Sequence, residues 1–156
     1  MGRLAPGPAL LLLVLAIVTP AASQVVEYEV LDLGTLGGPS ANALGINNAG
    51  QVVGEADTVA GPRHPYLWDS GVMIDLGTFN DGRIGSASAI NEAGQVVGFS
   101  EIAAFGDWHA FLWDGAGLTD LGTLGGDESA AHGINGPAQV VGRSNPSCSS
   151  YTDLAF

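Results

Sequence analysis

Lysine is missing from this 156-residue chain, cysteine occurs once, and the only arginines are Arg3, Arg63, Arg83 and Arg143. Sixteen aspartates and glutamates oppose them, giving a formal net charge of −12. A phosphate backbone would be repelled by such a surface, which argues against a nucleic-acid partner. The simplest role for the carboxylates is to keep an otherwise weakly charged surface soluble. With Cys148 as the lone cysteine no intrachain disulfide can staple the fold, leaving a free thiol or an intermolecular bridge. A helical period of apolar residues is also lacking: glycine recurs too often, and the apolar positions alternate.

The one long apolar run lies at the start. Arg3, then LLLLVLAIVTP from Leu10, then the small residues AAS before Gln24 have the layout of a secretory signal peptide, with cleavage expected after Ser23. The run is shorter than the roughly 20 residues a bilayer span needs, and no later segment is apolar enough to cross a membrane. Residues 1–23 therefore read as signal and residues 24–156 as one β-repeat domain, long enough for one hydrophobic core.

That domain is organised by repetition. QVVG occurs at Gln51–Gly54, Gln95–Gly98 and Gln139–Gly142, inside the longer matches ALGINNAGQVVG, ASAINEAGQVVG and AAHGINGPAQVVG. HPYLWDSGVMIDLG from His64 and HAFLWDGAGLTDLG from His109 follow the first two copies, and DLGTLGG, DLGTF and DLGTLGG begin at Asp32, Asp75 and Asp120. The units run at about 32–74, 75–119 and 120–156, the last incomplete. Single-residue length differences fall in the connections, where strand register is not disturbed.

Each motif reads as a β-hairpin. Asn47 can open a type I turn with Gly50 in the left-handed position, and Asn91 with Gly94 repeats the chemistry. In the third copy Ala138 replaces the glycine and Pro137 precedes it, so that hairpin should be strained or differently turned. His64, Tyr66 and Trp68 alternate with Pro65 and Leu67, as do His109, Phe111 and Trp113 with Ala110 and Leu112, and Asp69 or Asp114 begins the next turn. Four short strands per unit result. The expected fold is all-β, a partial propeller-like array of four-stranded antiparallel units, with an open stack of β-hairpins as the alternative. Ala43 and Gly45 should share one strand face while Ile46 takes the other. A leading strand is expected at Tyr28 to Leu33, and the final YTDLAF, which echoes LTDLG at Leu118, should be a fourth strand in a unit that lost its third.

HPYLW and HAFLW, each followed by aspartate, together with GINNAGQVVG and DLGTLGG, make the chain resemble the bacterial extracellular repeat family named after its His-Ala-Phe signature. The resemblance spans essentially Tyr28 to Arg143. It implies a secreted or cell-surface bacterial protein with a propeller-like fold, and it carries no catalytic residue across.

Chemistry must then rest on individual polar residues. His64 and His109 occupy one repeat position, as expected of a packing or hydrogen-bonding residue, whereas catalysis needs different roles converging. The histidines have no zinc spacing. Asp69, Asp114 and the aspartates of DLG suit turn backbone donors; calcium is the alternative ligand, though the dense oxygen pattern of a calcium hand is absent. No nucleophile elbow or phosphate loop is found. The expected function is a non-enzymatic extracellular module of structural or contact type, meeting protein or glycan through the connections after QVVG, with Phe105 and Trp108 as aromatic anchors. Alternatives are a secreted polysaccharide lyase or hydrolase on an acidic face, or a truncated copy of a larger protein. Fewer units than the four or more of a closed propeller make a homo-oligomer a further expectation.

Overall fold

The computed structural model describes residues 27–102, 106–146 and 154–156; the signal segment, Phe105 and Cys148 lie outside them. The chain divides at Leu31. Before it, residues 27–31 carry no regular structure. From Asp32 onward the described residues are all-β, with one three-residue 3-10 turn among them at Phe79–Asp81.

Three antiparallel sheets follow one another along the chain. The first is a meander of β1 (Gly37–Ile46), β2 (Val52–Thr58), β3 (Arg63–Asp69) and β4 (Val72–Asp75), and the second repeats it with β5 (Gly85–Ile90), β6 (Val96–Glu101), β7 (Trp108–Trp113) and β8 (Leu118–Asp120). The third contains β9 (Gly125–Ile134), β10 (Val140–Pro146) and β11 (Leu154–Ala155), in the order β11, β10, β9. The repeated sheets form a propeller-like series that does not close on itself.

Two sequence expectations about strands are corrected. Tyr28 to Leu33 form no strand; the first ladder contact is the bridge from Leu36 to Thr58. The final LAF is a third strand rather than a fourth. Gly142 and Phe156 exchange backbone hydrogen bonds, N–H to O, of 2.7 and 3.1 Å. Phe156 thereby takes the place of Tyr66 opposite Gly54 and of Phe111 opposite Gly98. The echo of LTDLG misled because the matching feature was the shorter pattern x-Ala-Phe, with Leu154 in the histidine position.

A β-bulge shared by all three sheets explains the face assignment. Ala43 pairs with Gly54 but Gly45 with Val53, leaving Leu44 unpaired; Ser88 and His132 are the corresponding extra residues. One extra residue reverses the alternation. Ala43 therefore shares a face with Ile46, and Gly45 points the other way, contrary to the simple two-residue period. Ala87 and Ile90 accordingly enter one core cluster together.

The cores lie between the sheets. Val53 and Leu67 of the first sheet pack on Ala87, Ile90, Val96 and Phe111 of the second, while Val97 and Ala110 on the second sheet's other face meet Ala131 of the third. Adjacent valines of QVVG thus serve opposite junctions. The first strand of each following sheet does most of the contacting: β5 packs across β1, β2 and β3, and β9 across β5, β6 and β7.

The third hairpin keeps the turn of the other two. Asn135 accepts the Ala138 N–H at 3.0 Å, as Asn47 accepts that of Gly50, but Ala138 sits at φ 63° where Gly50 and Gly94 sit at 78° and 79°. The cost of a left-handed β-carbon is about 1 kcal/mol. Ala138→Gly should therefore raise stability by about 0.5 kcal/mol in urea unfolding, the relieved strain exceeding the extra chain entropy of glycine; a lower midpoint would deny strain at this turn.

Candidate functional site

The residues shared by the repeats are occupied internally. Asn47 is buried and uses its whole amide: Nδ2 donates to Gln51 Oε1 at 2.8 Å and to the Asn91 carbonyl at 3.0 Å, while Oδ1 accepts the Ala49 and Gln51 N–H groups at 3.1 and 3.0 Å. Asn91 repeats the set, donating to Gln95 Oε1 at 2.8 Å and to the Asn135 carbonyl at 3.0 Å. A ladder of asparagines therefore joins the three sheets. Gln51 Nε2 extends the first rung to Asp69 Oδ2 at 2.8 Å. With Ser70 also donating, the Asp69 carboxyl is held below its usual range.

The histidines pair with the aspartates of DLG. His64 Nδ1 lies 2.9 Å from Asp75 Oδ2, and His109 Nδ1 lies 2.8 Å from Asp120 Oδ2. Because a carboxylate only accepts, Nδ1 carries the hydrogen in both. Asp75 and Asp120 also accept the N–H of Gly77 and Gly122, at 2.8 and 2.7 Å. Each His–Asp pair therefore fastens a third strand to the turn that leaves the fourth. Asp32 makes the same turn bond to Gly34 at 2.9 Å, and Asp114 accepts Ala116 N–H at 3.1 Å. Among the described residues no group of three or more His, Cys, Asp or Glu could hold a metal ion.

The aromatics of the signature strands are core. Phe111 is fully buried with Trp113 packed beside it, and Tyr66 is 1% exposed, its hydroxyl pKa raised by burial. Trp68 is half-buried on the same face as Tyr66.

What varies is the end of each sheet where the second strand turns into the third. In the first sheet Arg63 donates to Asp57 Oδ1 at 3.0 Å and to Glu55 Oε1 at 3.1 Å. The hydrogen bond to Asp57 and the two nearby carboxylates raise the arginine pKa further. In the second sheet, Phe99, Glu101 and Trp108 stand at the positions of Glu55, Asp57 and Arg63. Phe99 and Trp108 stack with ring centroids 5.5 Å apart and planes at 23°. Both are half-buried. Glu101 beneath them is buried and accepts the N–H of Arg83 at 2.7 Å and of Gly106 at 3.2 Å, tying down both flanking loops. In the third sheet Arg143 stands opposite Ala130 at the position of Phe99 and Glu55.

These three ends lie on one side of the array, since the sheets succeed one another in the same orientation. Trp108, expected as an anchor, is there; its partner is Phe99, which sequence reasoning missed. The two rings are diagonal neighbours on one sheet face, with Phe99 opposite Ala110 and Trp108 opposite Glu101, a meeting that depends on the β6–β7 register.

No family model, curated protein or solved structure matches the chain. Among the described residues no helix is long and apolar enough to cross a membrane.

Proposed function

We propose that this chain is a secreted, non-enzymatic β-repeat module that contacts an extracellular protein or glycan through the hairpin ends bearing Arg63, the Phe99–Trp108 stack and Arg143. The observation that carries the reading is the contrast between positions. The asparagines of all three sheets and the histidine–aspartate pairs of the first two are engaged in hydrogen bonds within the array, while equivalent positions at one side hold an ion-pair cluster, an aromatic stack and an arginine in turn. A framework that is copied while one rim diverges is the arrangement expected of a binding surface on a rigid support. An aromatic stack offers a flat apolar face to a sugar ring or to a partner's side chain. The signal-like leader and the resemblance to extracellular His-Ala-Phe repeats agree with a place outside a bacterial cell. The His–Asp pairs support the non-enzymatic reading, because each copy already serves the same turn.

The test is binding of the purified protein to a panel of immobilised extracellular polysaccharides and proteins, with product analysis on the same samples. Saturable binding without turnover is expected, and Trp108→Ala should weaken it by about tenfold while costing about 2 kcal/mol of stability, from the lost stack and the lost burial of a half-buried ring. Product formation that vanishes on replacing one carboxylate would overturn the proposal in favour of a lyase or hydrolase.

A further inference from the structure

The two junctions inside the chain are made by the same parts, and the two outer faces of the array are the unused halves of that junction. In the inner pairs, β5 lies across β1 to β3 and β9 lies across β5 to β7. The strand corresponding to β5 and β9 in the first sheet is β1, and no preceding sheet lies beneath it among the described residues. Its apolar side chains are accordingly exposed: Ile46 is 69% accessible where Ile90 is 9%, and Ala43 is exposed where Ala87 and Ala131 are fully buried. At the other end Val141 is 58% accessible, although its counterparts Val53 and Val97 are both at 0%.

The polar groups show the same incompleteness. Asn47 and Asn91 each donate one amide hydrogen within their own turn and the other to the carbonyl of the next sheet's asparagine. Asn135 makes the internal donation, to Gln139 Oε1 at 2.7 Å, and among the described residues no second one. Close approach is also provided for. At the first junction Gly45 leaves room for the backbone of Ser88 and Ala89, where an added β-carbon would stand 3.3 Å away; Gly133 is the same position on the open face and meets only its own neighbour Val141.

We propose that a second copy of this chain completes both ends, β1 of each copy packing across β9, β10 and β11 of the other, so that six sheets close into a ring about a two-fold axis. The internal junction supplies the geometry, since each new contact repeats one already made twice within the chain. Two-fold pairing forms both contacts at once, which leaves no growing end. Six sheets fall within the four to eight blades usual for closed propellers, whereas three copies would give nine. The central meeting residues, Ala43 and Ile46 on one side with Gly133 and Val141 on the other, are uncharged, and Arg143 stands two residues beyond Val141 on the same face.

Light scattering of the purified protein across a range of concentrations tests this. A mass of two chains is expected, with no larger species. Ile46→Asp and Val141→Asp should each give monomers, because either change spoils both contacts. Mixed together, the two variants should recover a dimer held by one intact contact, pairing the unaltered β1 of the Val141 variant with the unaltered third sheet of the Ile46 variant. Should either aspartate prevent folding, as judged by circular dichroism, Ile46→Ser and Val141→Ser serve instead and should weaken pairing by about tenfold each. A folded monomer as the wild-type state overturns the proposal, as does a dimer indifferent to both positions or a mass that climbs steadily with concentration.

Discussion

Gly98→Ala is expected to lower the thermal midpoint by about 10 °C, corresponding to roughly 3 kcal/mol from forced overpacking. The glycine lies in β6, in the middle of the middle sheet, opposite Ala87 and Phe111. The bulge at Ser88 turns the neighbouring strand so that a methyl group at Gly98 would be driven into the Ser86 carbonyl oxygen, with the Ala87 α-carbon 2.9 Å away. Neither is the far end of a flexible side chain; both are backbone, so relief requires the bulge itself to move. Gly54 faces the Asn42 carbonyl and Gly142 the Ala130 carbonyl in the same manner. Gly136→Ala is the control, because an added β-carbon there meets nothing within 4 Å and the residue does not need positive φ. Its thermal midpoint should stay within about 2 °C of wild type. Equal effects at both positions would refute close backbone approach as the reason for the fourth residue of QVVG.

The other three residues of that motif have separate reasons, and these mark how far sequence could lead. Gln51 is bonded to Asn47 and Asp69, Val52 and Val53 face opposite sides of the sheet, and Val53 and Val97 fill successive junctions. Strand alternation, the Asn and Gly turn pattern and the repeat spacing are local signals, and they placed two four-stranded units correctly. The bulge was hidden because its extra residue changes identity from Leu44 to Ser88 to His132, so no repeated letter announces it. The third strand of the last sheet was hidden for a related reason: Leu154 stands where His64 and His109 stand, and the pairing of Phe156 with Gly142 depends on a contact across the sheet. At the candidate site, Trp108 was visible as an aromatic beside a variable connection. Its stacking on Phe99 and the buried Glu101 that holds Arg83 and Gly106 were not, because they follow from the β6–β7 register and from backbone bonds made across the sheet end.

Asn91→Asp should be nearly as damaging as Gly98→Ala, costing about 3 kcal/mol at neutral pH. The substitution conserves shape and keeps an acceptor for the Ala93 and Gln95 N–H groups. It removes both donations, however, and sets a carboxylate against Gln95 Oε1 and the Asn135 carbonyl at a site 5% exposed. Gln95 can rotate its amide and donate; the carbonyl cannot. The Ala93 and Gln95 N–H groups favour the charged form, but burial and the facing Asn135 carbonyl oppose it more strongly, so the folded-state pKa is raised above the unfolded value and the folded chain binds the additional proton. The deficit relative to wild type should therefore be greatest above the folded pKa and shrink as pH falls through it towards the unfolded value near 4, whereas Asn91→Ala, having no such group, should show a deficit that does not change with pH. Asn135→Asp separates the two parts of the argument. It alters the same turn, with Gln139 in place of Gln95, but among the described residues Asn135 makes no donation to a following sheet. Urea unfolding at low protein concentration, where copies are apart, should find it milder than Asn91→Asp by about 1 to 2 kcal/mol, a difference that combines the lost rung between sheets with the burial of the new carboxylate, since Asn135 is exposed where Asn91 is buried.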